Sequence, residues 1–182
     1  ALIATQKTLT SAGIDHFLIQ ADISKPDDFA KQLRLKHVNL AKCLNVRSFL
    51  DHNRKLLPEN IVKKFNEEKN IPGAFSSFGQ QVPGINVFRD LVIHFKNWRP
   101  YIENYGLICL ELHTIPSKWS TQTQGSQAAT AYDATHGYSD QYILDYHSFK
   151  DAVKDSGLTI HPKFKWYFPS TQHPAISINY IR

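Results

Sequence analysis

A chain of 182 residues with 42% hydrophobic and 20% charged content can bury one sizeable core and is too apolar to be disordered. No apolar run approaches the roughly 20 residues of a membrane helix, so no membrane partner is expected. The net charge of +5 comes from Lys and Arg scattered along the chain rather than interleaved with aromatics, which argues against nucleic acid. The densest basic portion, residues 31 to 64, suits an acidic partner such as a carrier protein or a phosphate. Cys43 and Cys109 lie in apolar, strand-like runs and read as buried free thiols, in keeping with a cytoplasmic location. The amino end has no leader-like pattern. The chain has no Met, not even at its start, which suggests an excised or processed product.

Residues 1 to 12 carry Leu2, Ile3, Leu9 and Ala12 on helical spacing, and Gly13 is a suitable stop. His16 to Ile23 is a short apolar run and predicts a buried strand. Pro26-Asp27-Asp28 opens a helix that runs to about Lys36; Ser24 or Asp22 can cap it. His37 to Val46 predicts a second strand, followed by Arg47 to Arg54. Residues 58 to 69 read as a short amphipathic helix. Residues 70 to 86, with Pro72, Gly73, Gly79, Pro83 and Gly84, read as a loop or lid. Val87 to Tyr101 places Phe88, Leu91, Val92, Phe95 and Trp98 on one side of a helix. Leu107 to Leu112 is an apolar strand, and a long loop follows at 116 to 141. Tyr146 to Ser156 is a helix stopped by Gly157. Residues 163 to 168 and 175 to 181 alternate across a turn and predict an antiparallel pair. The alternation argues for an α/β fold, largely parallel with an antiparallel edge.

The chemistry-bearing residues gather past the strand at 107 to 112. His113 stands at its exit. Asp133, His136, Asp140 and Gln141 follow within the loop, among Tyr132, Tyr138 and Tyr142. Open α/β sheets place their sites at such strand ends. His113 or His136 has the titration range of a general base, and Tyr138 or Tyr132 can orient a substrate carbonyl. His113, His136 and Gln141 also offer two imidazoles and a neutral oxygen to a metal, with Asp133 and Asp140 as alternatives. Arg47 or Arg54 can steer an acidic partner; a local turn capped by Asp51 explains the same residues. Trp98, Trp119 and Trp166 read as core or lid aromatics. There is no nucleophile elbow, P-loop or CxxC pair.

The element order and three local sequences resemble the back two-thirds of a class I S-adenosylmethionine-dependent methyltransferase. Gly13 to Ile23 resembles the third strand of that family, Leu44 to Arg54 the fourth strand and its turn, and Phe88 to His113 the helix and fifth strand. The segment 163 to 181 resembles strands six and seven. The resemblance implies a Rossmann-like sheet with Asp22, Ile23 and Asn45 against the cofactor. RSFLDHNR and ATHGYSDQY further resemble methyltransferase domains of polyketide synthases, a subgroup of which uses mononuclear iron or manganese. That implies methylation of a carbon of a malonyl-type acyl group on an acyl carrier protein or its phosphopantetheine arm. The chain departs from the family in lacking the Gly-rich loop and the first two strands. The expectation is therefore one partial domain over 1–182, with a helical insertion or lid at 57–105 and a substrate or metal loop at 114–141. It needs the missing amino-terminal part or another chain. The rival expectation is a catalytically inactive, methyltransferase-like binding or scaffold module.

Overall fold

A computed structural model describes residues 2–64, 69–122 and 140–182. Helix α1 (Leu2–Ser11) closes at Gly13, but it buries none of its side chains. Residues 14 to 22 have no regular structure, so the strand expected at 16 to 23 does not form. A strand needs a partner for its backbone groups, and this segment pairs with none among the described residues. Ile19 and Ile23 nevertheless pack against the core.

Helix α2 (Pro26–Arg34) has Pro and two acids in its first turn, and buries Ala30 and Leu33. Ser24 does not cap it; its amide and hydroxyl both donate to Asp22. The second expected strand is shortened. A 3-10 turn at Leu40–Lys42, capped by Asn39, precedes β1 (Asn45–Ser48). Helix α3 (Glu59–Val62) is followed by a hairpin, β2 (Phe75–Ser77) and β3 (Gln80–Val82), within the stretch expected as loop. Helix α4 (Gly84–Ile102) is the long core helix. The turn to β4 (Leu107–Leu112) uses Gly106 at φ 84°, where a Cβ would stand 2.2 Å from the Tyr180 ring. Helix α5 (Ser117–Gln122) opens the expected long loop, and residues 123–139 of that loop lie outside the described region. Helix α6 (Tyr146–Asp155) is capped by Asp145, and β5 (Ile160–Phe168) and β6 (Ile176–Ile181) form the expected antiparallel pair.

The fold is mixed α/β, with a four-stranded sheet in the order β1-β4-β6-β5. β1 and β4 are parallel, and β6 runs antiparallel to both β4 and β5. Strand side chains alternate between faces. One face, carrying Leu107, Cys109, Glu111, Ser177, Asn179 and Ile181, is buried. Apolar residues of α4 and α6 form the core with Leu107, Cys109 and Ile181. The other face carries Val46, Ile108, Leu110, Leu112, Ile176 and Ile178, and β5 adds Trp166 and Phe168. Val46, Trp166 and Phe168 remain 67%, 50% and 49% exposed. Of the two roles expected for it, core or lid, Trp166 does not take the core one. Trp98 does, and Trp119 stacks near His173. No helix among the described residues is long and apolar enough to cross a membrane.

Candidate functional site

Two parallel strands deliver the polar groups. β1 pairs with β4 so that Arg47 lies opposite Cys109, both on the buried face. Two residues further along β4, the same alternation turns Glu111 inward. After β1 the chain turns at Phe49, whose amide donates to the Leu110 carbonyl, and a 3-10 turn over Asp51–Asn53 brings Asp51 and His52 inside. Helix α4 contributes Asp90, His94 and Trp98 at four-residue spacing, one face of a helix.

Asp51 is the hub. Arg47 Nη1 donates to its Oδ1 at 2.7 Å and His94 Nε2 lies 2.8 Å from the same oxygen. The Cys109 thiol donates to Oδ2 at 3.5 Å. Burial would raise the Asp51 carboxyl, but the Arg47 charge and the His94 contact outweigh it and hold its pKa well below the carboxylate range. Burial lowers His94 despite Asp51, so its ring stays neutral and donates from Nε2. Burial, with Asp51 and Glu111 nearby, pushes the Cys109 thiol well up. The Arg47 guanidinium stacks 3.7 Å from the centre of the Trp98 ring, whose indole N–H donates to the Ile23 carbonyl. Arg47 Nη2 is buried with no acceptor among the described residues. Arg54 donates to Asp90 at 2.5 Å and to the carbonyls of Asp51 and Val87. Both arginines are therefore turned into the core, and neither is placed to steer a partner at the surface.

Beside this hub stands a second pair. His52 Nδ1 lies 2.5 Å from Glu111 Oε1, and the His52 amide donates to Oε2 at 3.2 Å. The Leu112 amide also donates to Oε1, at 2.8 Å. With Nδ1 bound to a carboxylate, Nε2 is the ring nitrogen left to take a proton. A small cavity adjoins the pair, lined by His52, Glu111, His113, Tyr142, Leu144 and Phe149. Neither His52 nor Glu111 stood out as a catalytic residue in the sequence. An acid at an inward position of an apolar strand was the available signal, because a buried carboxylate requires partners.

The predicted residues are placed as follows. His113 lines the same cavity, with Nε2 2.6 Å from Ser177 Oγ and Nδ1 3.3 Å from the Leu144 carbonyl. Burial lowers its pKa to about 4 against the opposing effect of that carbonyl, so its ring is neutral. Gln141 is half-buried beside Tyr142. His136, Tyr138, Asp133 and Tyr132 lie outside the described residues. Asp22 borders a surface hollow with Gln20, Lys25, Phe29 and Gln32, and hydrogen bonds from Ser24 lower its pKa. Asn45 sits at the opposite, amino end of β1, where its side-chain amide donates to the Cys43 and Tyr101 carbonyls.

Among the described residues, Asp51, Cys109 and Glu111 bring potential ligand atoms within 4.8 Å of one another. Two of the three already have partners: Arg47 and His94 engage Asp51, and His52 and two amides engage Glu111, so a cation would have to displace them. No curated protein matches the chain. The AprA MT2-like domain, a methyltransferase family, matches residues 1–179; the chain belongs to that family and is an S-adenosylmethionine-dependent methyltransferase domain.

Proposed function

We propose that this domain methylates a carbon acid, the α-carbon of a malonyl-type acyl thioester carried by an acyl carrier protein in polyketide-like biosynthesis, with His52 as the general base. The observation that carries the proposal is the buried His52–Glu111 pair beside a water-sized cavity of about 10 Å³, which has to open to admit a substrate. Glu111 engages Nδ1 of the imidazole, which leaves Nε2 to take the α-proton, and its carboxylate stabilises the imidazolium so formed. Arg47, Arg54, Asp51 and Asp90 amount to two guanidiniums and two carboxylates, so Glu111 is the unneutralised charge of the network. The carbon left by the proton is the nucleophile for the methyl group. When bound, S-adenosylmethionine supplies that methyl on a sulfonium, a good leaving group.

The donor set near the predicted cofactor segment suits this assignment. Asp22 is an anionic acceptor beside two glutamines and the Phe29 ring, a set that fits an adenosine. Arg47 Nη2 has a buried N–H to offer a carbonyl or carboxylate oxygen. Ile23 is tied to this end of the network through Trp98. Asn45 is placed to act only through β1. A metal-assisted version, with iron or manganese on His113, His136 and Gln141, requires His113 to give up Ser177 or Leu144.

Among the described residues the outer apolar face is partly open and the outer edge of β1 is unpaired, which supports a further polypeptide layer. We read the sheet as the carboxyl-terminal half of a Rossmann-like class I sheet. Its partner is the amino-terminal part of the domain or another chain.

The test is transfer of a labelled methyl group to a malonyl-type carrier-bound thioester. His52→Ala should lower turnover by about 10³-fold and Glu111→Gln by about 10²-fold. Chelation should leave both parent and variants unchanged. Full activity in His52→Ala would remove His52 as the base.

A further inference from the structure

The cavity beside His52 and Glu111 holds no more than a water, so a wall has to move before an acyl group can enter. Most of its lining is fixed. Glu111 and Leu112 lie on β4, which is paired along both edges, and His113 follows directly. Leu91 and Phe149 belong to the core helices α4 and α6. Asp51 and Arg54 are held by buried ion pairs. Leu144 is tied to the sheet end, where its carbonyl accepts the Thr114 amide and lies 3.3 Å from His113 Nδ1.

Tyr142 is the wall held otherwise. Its amide donates to the His52 carbonyl at 2.9 Å, which keeps its backbone beside the pair. Its ring is buried, and its hydroxyl donates to Ser77 Oγ at 3.0 Å. Burial raises that hydroxyl, so it stays protonated as the donor. Ser77 ends β2 of the hairpin, two strands of three residues that pair only with each other among the described residues. A lone two-stranded hairpin is marginal in water. Phe75 anchors its base in the core, whereas the tip at Phe78 and Gly79 is exposed. One exposed bond, from the Phe78 amide to Asp140 Oδ1 at 2.8 Å, joins that tip to the stretch carrying Tyr142. The side chain that closes the cavity is thus fastened to an element of low intrinsic stability, the kind from which moving parts are drawn.

We propose that the Tyr142 ring is the gate of the His52–Glu111 cavity and that Ser77 is its latch. The ring swings away with the hairpin tip to admit the acyl group, and its return excludes water. The anchor at the His52 carbonyl lets the ring turn without unpairing the sheet. The proposal rests on the carbon-acid reading for the identity of the guest. The gate itself is separate from that reading, because any small reagent reaching His52 through the cavity meets the same wall.

The experiment is modification of the full polypeptide with diethyl pyrocarbonate, the rate at each histidine being read by peptide mass spectrometry in the parent, Ser77→Ala and Tyr142→Phe. Exposed His147 and buried His94 serve as internal standards. In the parent, His52 should react far more slowly than His147. Both variants keep the ring and lose the latch, so each should raise the His52 rate about tenfold and leave His94 unchanged. In turnover, Ser77→Ala should lower the KM for the malonyl-type thioester by about threefold and leave kcat within twofold, since a larger open fraction raises apparent affinity. An unchanged His52 rate in both variants overturns the proposal, as does a parent whose His52 reacts as fast as His147. An equal rise at His94 overturns it as well, because it marks general loosening. The base assignment is judged apart from this: if His52→Ala retains full turnover, that reading fails while the labelling result for the gate stands.

Discussion

On the face of the sheet turned towards α4 and α6, β4 and β6 bury Cys109, Glu111, Ser177 and Asn179, and β1 buries Arg47. On the opposite face the same strands carry Ile108, Leu110, Leu112, Ile176, Ile178 and Val46, much of it in contact with water. Polarity is inverted relative to what burial alone would select. The inner face tolerates its polar row because each group finds a partner: Asp51 with Arg47 and His94, Glu111 with His52, and Ser177 with His113 and Asn179. Among the described residues the outer face has no such internal explanation, which is why a further layer is proposed there. The proposed chemistry would account for the inner face, and the proposed further layer for the outer one.

The largest effect on this contrast should come from its hub. Asp51→Ala leaves the Arg47 charge buried without its carboxylate and should cost about 3–5 kcal/mol, read as a lowered urea midpoint. A loss below 1 kcal/mol would mean that the network is solvated rather than buried.

Acid should weaken the inner face next. Unfolded His113 protonates near pH 6.5, whereas the buried ring does so only near pH 4. Its contribution is complete above pH 6.5 and is lost as the pH falls towards 4, by up to about 3 kcal/mol. Lowered His94 adds to the loss in the same direction. Urea midpoints between pH 7 and 4.5 should therefore fall, and His113→Asn should flatten the slope. An unchanged slope in that variant would assign the acid loss elsewhere.

The outer face should respond least. Ile178→Gln removes a half-buried side chain and should cost about 1 kcal/mol or less in this chain alone. It should sharply reduce binding of a hydrophobic dye and weaken association with the completing segment. A large loss of intrinsic stability would show that the face is covered within the chain. Finally, a thiol reagent should label Cys43 quickly and Cys109 only on unfolding, since Cys109 is buried and its thiol is held protonated.

Local pattern was enough for α2, α4, α6, β4 and the β5–β6 pair, because helical and strand periodicity is written over a few adjacent residues. The same logic failed at residues 16 to 23, where an apolar run reads as a strand but no neighbour pairs with it. It also missed the β2–β3 hairpin, whose Phe-Gly turn lacks the usual Asn. The strand end at 107 to 113 was legible as a place where polar side chains collect. His113 is conspicuous there because it stands at a strand exit.

The amino-acid sequence by itself determined the mixed α/β class, the order of most elements and the strand end where polar residues collect. Only the tertiary structure decided which of those residues meet. His52 and Glu111 are 59 positions apart and become partners through the parallel register of β1 against β4. Asp51 and His94 meet because α4 crosses that same strand end. Such pairings depend on register and on the packing of distant elements, and a one-residue slip of either strand would turn these side chains to the other face.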